Sequence, residues 1–215
     1  MKRLILVFDK DGVLIDSEQV KLRLVEKIFD AYPQHAAAIH AYNHQTVGIP
    51  RSVKFEHICR HILCLPNPES ALAHFSQAYT RAVDEELKRV APVAGVRAYL
   101  QHRSEPKYVC SAAPKAEVLQ NLESQGLSHF FEEVYAFPDA KADVMRRLKA
   151  EQQAQIVFWG DTLADYRAAQ EAGVFFIGVT TARQNPFRGL GIPTIPDFTA
   201  AQRIDNLIIR FLEGI

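Results

Sequence analysis

The chain has 215 residues, enough to bury a substantial core as one large domain or as a core domain with an insertion. Its 25 lysines and arginines match its 25 aspartates and glutamates, and at a pI ≈ 7.1 there is no net basic field to recruit nucleic acid or an acidic membrane. Apolar runs fall far short of the ~20 residues of a spanning helix, and three cysteines at irregular spacing point to a reducing, cytoplasmic setting rather than a disulfide framework.

Met1-Lys2-Arg3 ahead of an apolar run imitates a signal peptide, but the run stops at Asp9 after five residues, short of the ~7–15 of a signal core. Leu4 to Phe8 instead predicts a strand buried on both faces, at the centre of a parallel sheet. Asp9 and Asp11 follow at its C-terminal end, where open α/β sheets hold their ligands. Two acids buried so close together call for a cation, a shared proton, or both. Gly12 allows a sharp turn after them, and Asp-Gly is also an ordinary turn signal.

Residues 17 to about 88 carry helical spacing and no convincing strand, with Leu22, Val25, Ile28 and Phe29 and then Phe55, Ile58, Ile62 and Leu63 recurring at three- and four-residue intervals. Pro33, Pro50, Pro66 and Pro68 divide this block into about four helices. From Pro92 strands and helices alternate. Strands are predicted at 108–110, 134–137, 156–159 and 174–179, and helices at 114–122, 142–150, 164–172 and 203–212. This alternation implies an α/β fold: a Rossmann-like parallel sheet with helices on both faces and an inserted all-helical cap. The core is expected from residues 1–16 and 90–215, the cap from 17–89.

The later strands share the design of the first. The strand ending at Cys110 is followed by Ser111, just before a helix start at Pro114, where a hydroxyl and free backbone N–H groups favour an anion. Lys141 opens another helix. The strand ending at Trp159 runs into Gly160-Asp161-Thr162-Leu163-Ala164-Asp165, two more acids four residues apart. Taken singly, Ser111 reads as a capping serine, Lys141 as a surface lysine and Asp165 as a complement to a helix dipole. What is specific is the ordered set, each member beside a predicted strand end.

In that order the segments FDKDGVLIDSE, CSAAPKAEVLQNLESQGL and GDTLADYRAAQEAG resemble the haloacid dehalogenase-like phosphohydrolases over nearly the whole chain, the helical insertion resembling the cap of the phosphoglycolate phosphatase and β-phosphoglucomutase group. The resemblance implies that Asp9 is a nucleophile forming an aspartyl-phosphate, and that Asp11 is the acid and then the base. It implies that Ser111 and Lys141 hold the phosphoryl oxygens. Mg²⁺ would be bound by Asp9, the Asp11 carbonyl and Asp161, with Asp165 supporting directly or through water. Charge balance agrees, because four acids against one lysine leave −3, or −2 with Asp11 protonated, before any phosphate arrives. An acid at position 11 separates this chain from the dehalogenating members.

The expected activity is Mg²⁺-dependent hydrolysis of a small-metabolite phosphomonoester. The alternatives are a phosphomutase of the β-phosphoglucomutase type and a non-catalytic phosphate- and Mg²⁺-binding module. Two departures stand out. Lys10 occupies a position more often apolar in the family, and strand alternation points it away from Asp9 and Asp11. Lys141 lacks the proline that commonly follows it. Val47 to Arg51 resembles a substrate-specificity loop, with Arg51 either reaching the substrate or capping a helix start. His57, Cys59, His61 and Cys64 invite a zinc reading, but on a helix Cys59 points away from the others. Trp159 is expected to pack under the sheet.

Overall fold

The computed structural model describes residues 3–181 and 185–214; Met1, Lys2 and Ile215, the outermost residues of the expected core segments, lie outside them. The chain divides into two compact units, Met1–Asp16 with Ala91–Ile215, and Ser17–Val90.

In the first unit β1 (Arg3–Phe8), β2 (Lys107–Pro114), β3 (Glu133–Phe137), β4 (Ala154–Gly160), β5 (Phe175–Val179) and β6 (Thr194–Ile195) form one sheet in the order β3-β2-β1-β4-β5-β6. Every pairing is parallel. β1 lies inside the sheet between β2 and β4, and Ile5 to Phe8 are fully buried. Burying each of these side chains is worth about 1.5–3 kcal/mol, which explains the unbroken apolar run. The strand order reverses between β1 and β4, and a sheet of this kind opens a crevice at that switch point. Phe8 pairs with Trp159, so Asp9 and Asp161 leave adjacent strands at nearly the same level.

Alternation divides the two faces. Ile5 and Val7 pack with Tyr108, Cys110, Ile156 and Phe158 against α7 (Lys141–Glu151) and α8 (Leu163–Ala172). Phe8 faces the other way, its ring stacked on Trp159 at 4.6 Å and 6.2 Å from Phe198. Trp159 thus packs within the core, as its apolar strand implies. α5 (Val96–His102), α6 (Lys115–Ser124) and α9 (Ala201–Glu213) complete the unit. Past Gly12 the chain folds back, with Leu14 N–H donating to the Lys10 carbonyl and Val93 N–H to that of Leu14.

The second unit holds α1 (Glu18–Ile28), α2 (Ala36–Gln45), α3 (Arg51–His57), which runs into a π-helical turn over Ile58–Ile62, and α4 (Pro68–Glu86). Its core gathers Val25, Phe29, Ile39, Phe55, Ile58 and Tyr79. Cys59 is buried there, whereas His57 stacks on Tyr42 at 4.1 Å and Cys64 is exposed. No helix among the described residues is long and apolar enough to cross a membrane.

Lys54 is buried in this unit and donates to the carbonyl oxygen and the Oδ1 of Asn43. Burial first, and then Lys21, lowers its pKa to about 8. The unfolded chain therefore holds this proton in a window, between about 8 and the ordinary 10.5, where the folded chain has released it. Stability contributed at this position rises with pH across that window. Denaturant unfolding should show wild type gaining on Lys54→Met between pH 8 and 10.5 by at most about 3 kcal/mol; parallel curves would reject a depressed lysine.

Candidate active site

Asp9 is the first residue beyond β1 and is held to β4 by its N–H, which donates to the Trp159 carbonyl at 2.8 Å. Asp9 is 6 % exposed, and its Oδ1 lies 2.9 Å from Nζ of Lys141. Burial pushes the Asp9 carboxyl up to about 7, with Lys141 opposing the rise and Asp165 and Asp11 adding to it. Lys141 is the first residue of α7, a place where a cation is unfavourable against the helix dipole. Burial also works against its charge, but Asp165 and Asp9 outweigh burial and hold the ammonium well above the usual lysine range.

Asp165 explains that balance. Lys141 Nζ is 2.6 Å from its Oδ1, while its Oδ2 accepts from the N–H and the hydroxyl of Thr162. The Asp165 N–H donates in turn to Thr162 Oγ1, closing a capping box at the start of α8. Asp165 is thus fixed by its own helix start, and Gly160 makes room for it: a Cβ there would sit 2.4 Å from that of Asp165. Both Asp165 oxygens are engaged, which suits it to orienting Lys141.

Asp161 precedes the capping threonine. Oxygens of Asp9, Asp161 and Asp165 all lie within 4.8 Å of one another. Gly12, at φ +75°, sits so close that a Cβ would come within 2.0 Å of Asp161 Oδ2. This all-oxygen cluster of negative excess fits a hard divalent cation such as Mg²⁺. Asp9, Asp161 and Asp165 are the residues that could hold such an ion. Gly12→Ala should cost about 1–2 kcal/mol in backbone strain and also displace Asp161, weakening divalent-cation binding in a calorimetric titration. Gly189→Ala, at φ +83° with open space around it, is the control for strain alone; equal cation binding in both variants would reject the cradle.

Ser111 is buried near the end of β2, two residues beyond Val109, the partner of Phe8, and its Oγ accepts from the Ala113 N–H. Register with β3 slips between Ser111 and Pro114, where the strand ends. The sheet edge therefore carries Asp9, Asp11, Ser111, Lys141, Asp161 and Asp165 in one unit. Arg51 belongs to the other, at the start of α3, its guanidinium 5.2 Å from the centre of the Tyr79 ring.

Lys10 corrects the sequence expectation. Its side chain is fully buried, and its Nζ lies 3.1 Å from Asp11 Oδ1, 3.3 Å from Glu117 Oε1 and 2.8 Å from Asn121 Oδ1. Alternation fails as a guide because β1 ends at Phe8 and the chain is already turning at Lys10. Glu117 and Asn121, one turn apart on α6, supply the receiving carboxylate and amide. The sequence offered one signal for this pair, an acid and an amide at i and i+4 on a helix next to the sheet.

Comparison with known proteins bears on the fold and the family. A predicted phosphoglycolate phosphatase from Haemophilus somnus 129pt superposes with a TM-score of 0.75 at 17 % identity, over 95 % of this chain and 99 % of that one. β-Phosphoglucomutase from Clostridium difficile gives 0.73 at 15 % identity, over 97 % and 98 %. CbbY from Rhodobacter sphaeroides in complex with phosphate gives 0.68 at 20 % identity, over 93 % and 96 %. At these identities the likeness is one of fold. No curated protein matches the sequence. The family profile described as haloacid dehalogenase-like hydrolase matches residues 6–179, from within β1 to the end of β5, and the chain belongs to that family.

Proposed function

We propose that the protein is a Mg²⁺-dependent phosphatase acting on a small-metabolite phosphomonoester in the cytoplasm, with Ser17–Val90 as its cap. The observation that carries this reading is the buried Asp9 carboxylate set between Lys141 and the Asp161–Asp165 pair. Asp9 attacks phosphorus in line and carries the phosphoryl group as a mixed anhydride. Asp11 gives its proton to the leaving oxygen and then takes one from the water that opens the anhydride. Lys141, locked by Asp165, and Ser111 hold the phosphoryl oxygens where charge develops. Asp9, the Asp11 carbonyl and Asp161 would hold Mg²⁺, which when bound would offset the charge of the acids and of the phosphoryl group.

The test is a phosphate-release screen over metabolite phosphates and an aryl phosphate with Mg²⁺, repeated after chelation. Expected are release that chelation abolishes and Mg²⁺ restores. Isomerised sugar phosphate without free phosphate would establish the mutase instead, and no turnover of any compound would leave a binding module. Arg51→Ala belongs in the same screen. A charge-assisted contact from Arg51 to the substrate beyond its phosphate is worth about 1–3 kcal/mol in kcat/KM. The aryl phosphate, lacking that part, should scarcely respond. A uniform fall, or none, would assign Arg51 to its stacking on Tyr79.

A further inference from the structure

The helical unit carries a second group of ligand-type side chains with chemistry unlike that of the aspartate cluster. Glu26 stands near the end of α1, and His40 and His44 lie one turn apart on α2. Glu26 Oε1 is 2.9 Å from Nδ1 of His40 and 3.2 Å from Nε2 of His44. The ligand atoms of all three lie within 4.8 Å of one another, and the two imidazoles are neighbours at 4.2 Å between ring centres.

We infer that Glu26, His40 and His44 form a binding site for a borderline divalent ion of the zinc class. Tetrahedral coordination with bonds of about 2.0–2.1 Å sets ligand atoms roughly 3.3 Å apart. The separations of Glu26 Oε1 from the two imidazole nitrogens, 2.9 and 3.2 Å, are already close to that spacing, so small rotations of the side chains open the centre. Two imidazole nitrogens and one carboxylate oxygen favour Zn²⁺ over Mg²⁺, the reverse of the all-oxygen set in the other unit.

The backbone beneath the site is fixed in advance. Asn43, fully buried between the two histidines in sequence, donates through Nδ2 to the Leu22 carbonyl at 3.0 Å, one turn before Glu26. Ile39, also buried, precedes His40. The ion would therefore tie together two helices already held in register, and its capture costs little ordering of the chain. The site opens on solvent, with both histidines exposed, and Glu26 and His40 border a cleft of ≈ 530 Å³ that also includes Asp30. Three protein ligands on an open cleft leave a coordination position for water or an exogenous group.

The test is a calorimetric titration of the full chain with Zn²⁺ in excess Mg²⁺, paired with thermal unfolding. Expected are one equivalent of Zn²⁺ bound and a rise in Tm. Both should be lost in His40→Ala and in His44→Ala, with affinity down by about 10-fold or more, since even residues that only orient ligands are worth that much. Circular dichroism and Mg²⁺-supported turnover should match wild type in both variants, as neither residue belongs to the aspartate site. Zn²⁺ binding that persists unchanged in the variants, or no binding by wild type, would overturn the assignment. Neither result depends on whether the protein is a phosphatase.

Discussion

Asp9→Asn will abolish phosphate release from an aryl phosphate, by about 10⁴-fold or more, and leave the fold intact. The loss follows from its proposed role as nucleophile, since an amide cannot form the anhydride, and single deletions of a nucleophile reach that scale. The intact fold follows from its surroundings. Burial raises the Asp9 carboxyl from 3.8 to about 7, so in cation-free protein the site resists the charged form. A neutral amide of the same shape suits it at least as well. Below pH 4 folded and unfolded chains both hold the Asp9 proton. As pH rises toward 7 the unfolded chain releases it first, and wild-type stability falls before levelling off. Asp9→Asn lacks this loss, so in chelator its unfolding midpoint should climb relative to wild type between pH 4 and 7. Retained turnover in the variant would remove Asp9 as nucleophile.

Much of this arrangement is legible in the sequence because its cause is local. A strand buried on both faces must be apolar throughout, so the run at β1 announces a central parallel strand, and polar residues can begin only at its end. The same logic locates Asp161, directly past the end of β4, whereas Ser111, expected just beyond a strand ending at Cys110, lies within β2. Lys141 and Asp165 are legible only as members of that ordered set, for each has an ordinary surface reading when taken alone. The short elements are less visible. β6 has two residues and no period to detect, and α5 has seven. Ser111-Ala112-Ala113-Pro114 continues β2 without β-branched or aromatic residues, held instead by pairing across a slipped register. The capping box at Thr162 and Asp165 is a threonine followed three residues later by an acid, a pattern with a local cause that a reading focused on ligands passes over. Lys10 could not be placed from its neighbours, because its partners Glu117 and Asn121 stand 107 and 111 residues away.

That hidden pair gives the second large effect. Lys10→Met will destabilise the protein by about 3–5 kcal/mol, the usual consequence of removing one partner of a buried ion pair. Glu117 is 5 % exposed, and without the ammonium its carboxylate and the Asn121 amide oxygen lose their shared donor in a site closed to water. The double variant Lys10→Met with Glu117→Met removes both charges together and should recover most of the loss, since apolar replacement of a buried pair is often neutral or better. Denaturant unfolding of the single and double variants measures this directly. Catalysis should separate from stability, because Lys10 also lies 3.1 Å from Asp11 Oδ1. In the double variant, stable again but lacking that ammonium, the proposed acid and base is less firmly held, and kcat for an aryl phosphate should fall with KM nearly unchanged. If the double variant regains full kcat, Lys10 is there for the pair with Glu117 alone; if Lys10→Met is as stable as wild type, the buried network contributes nothing to the fold.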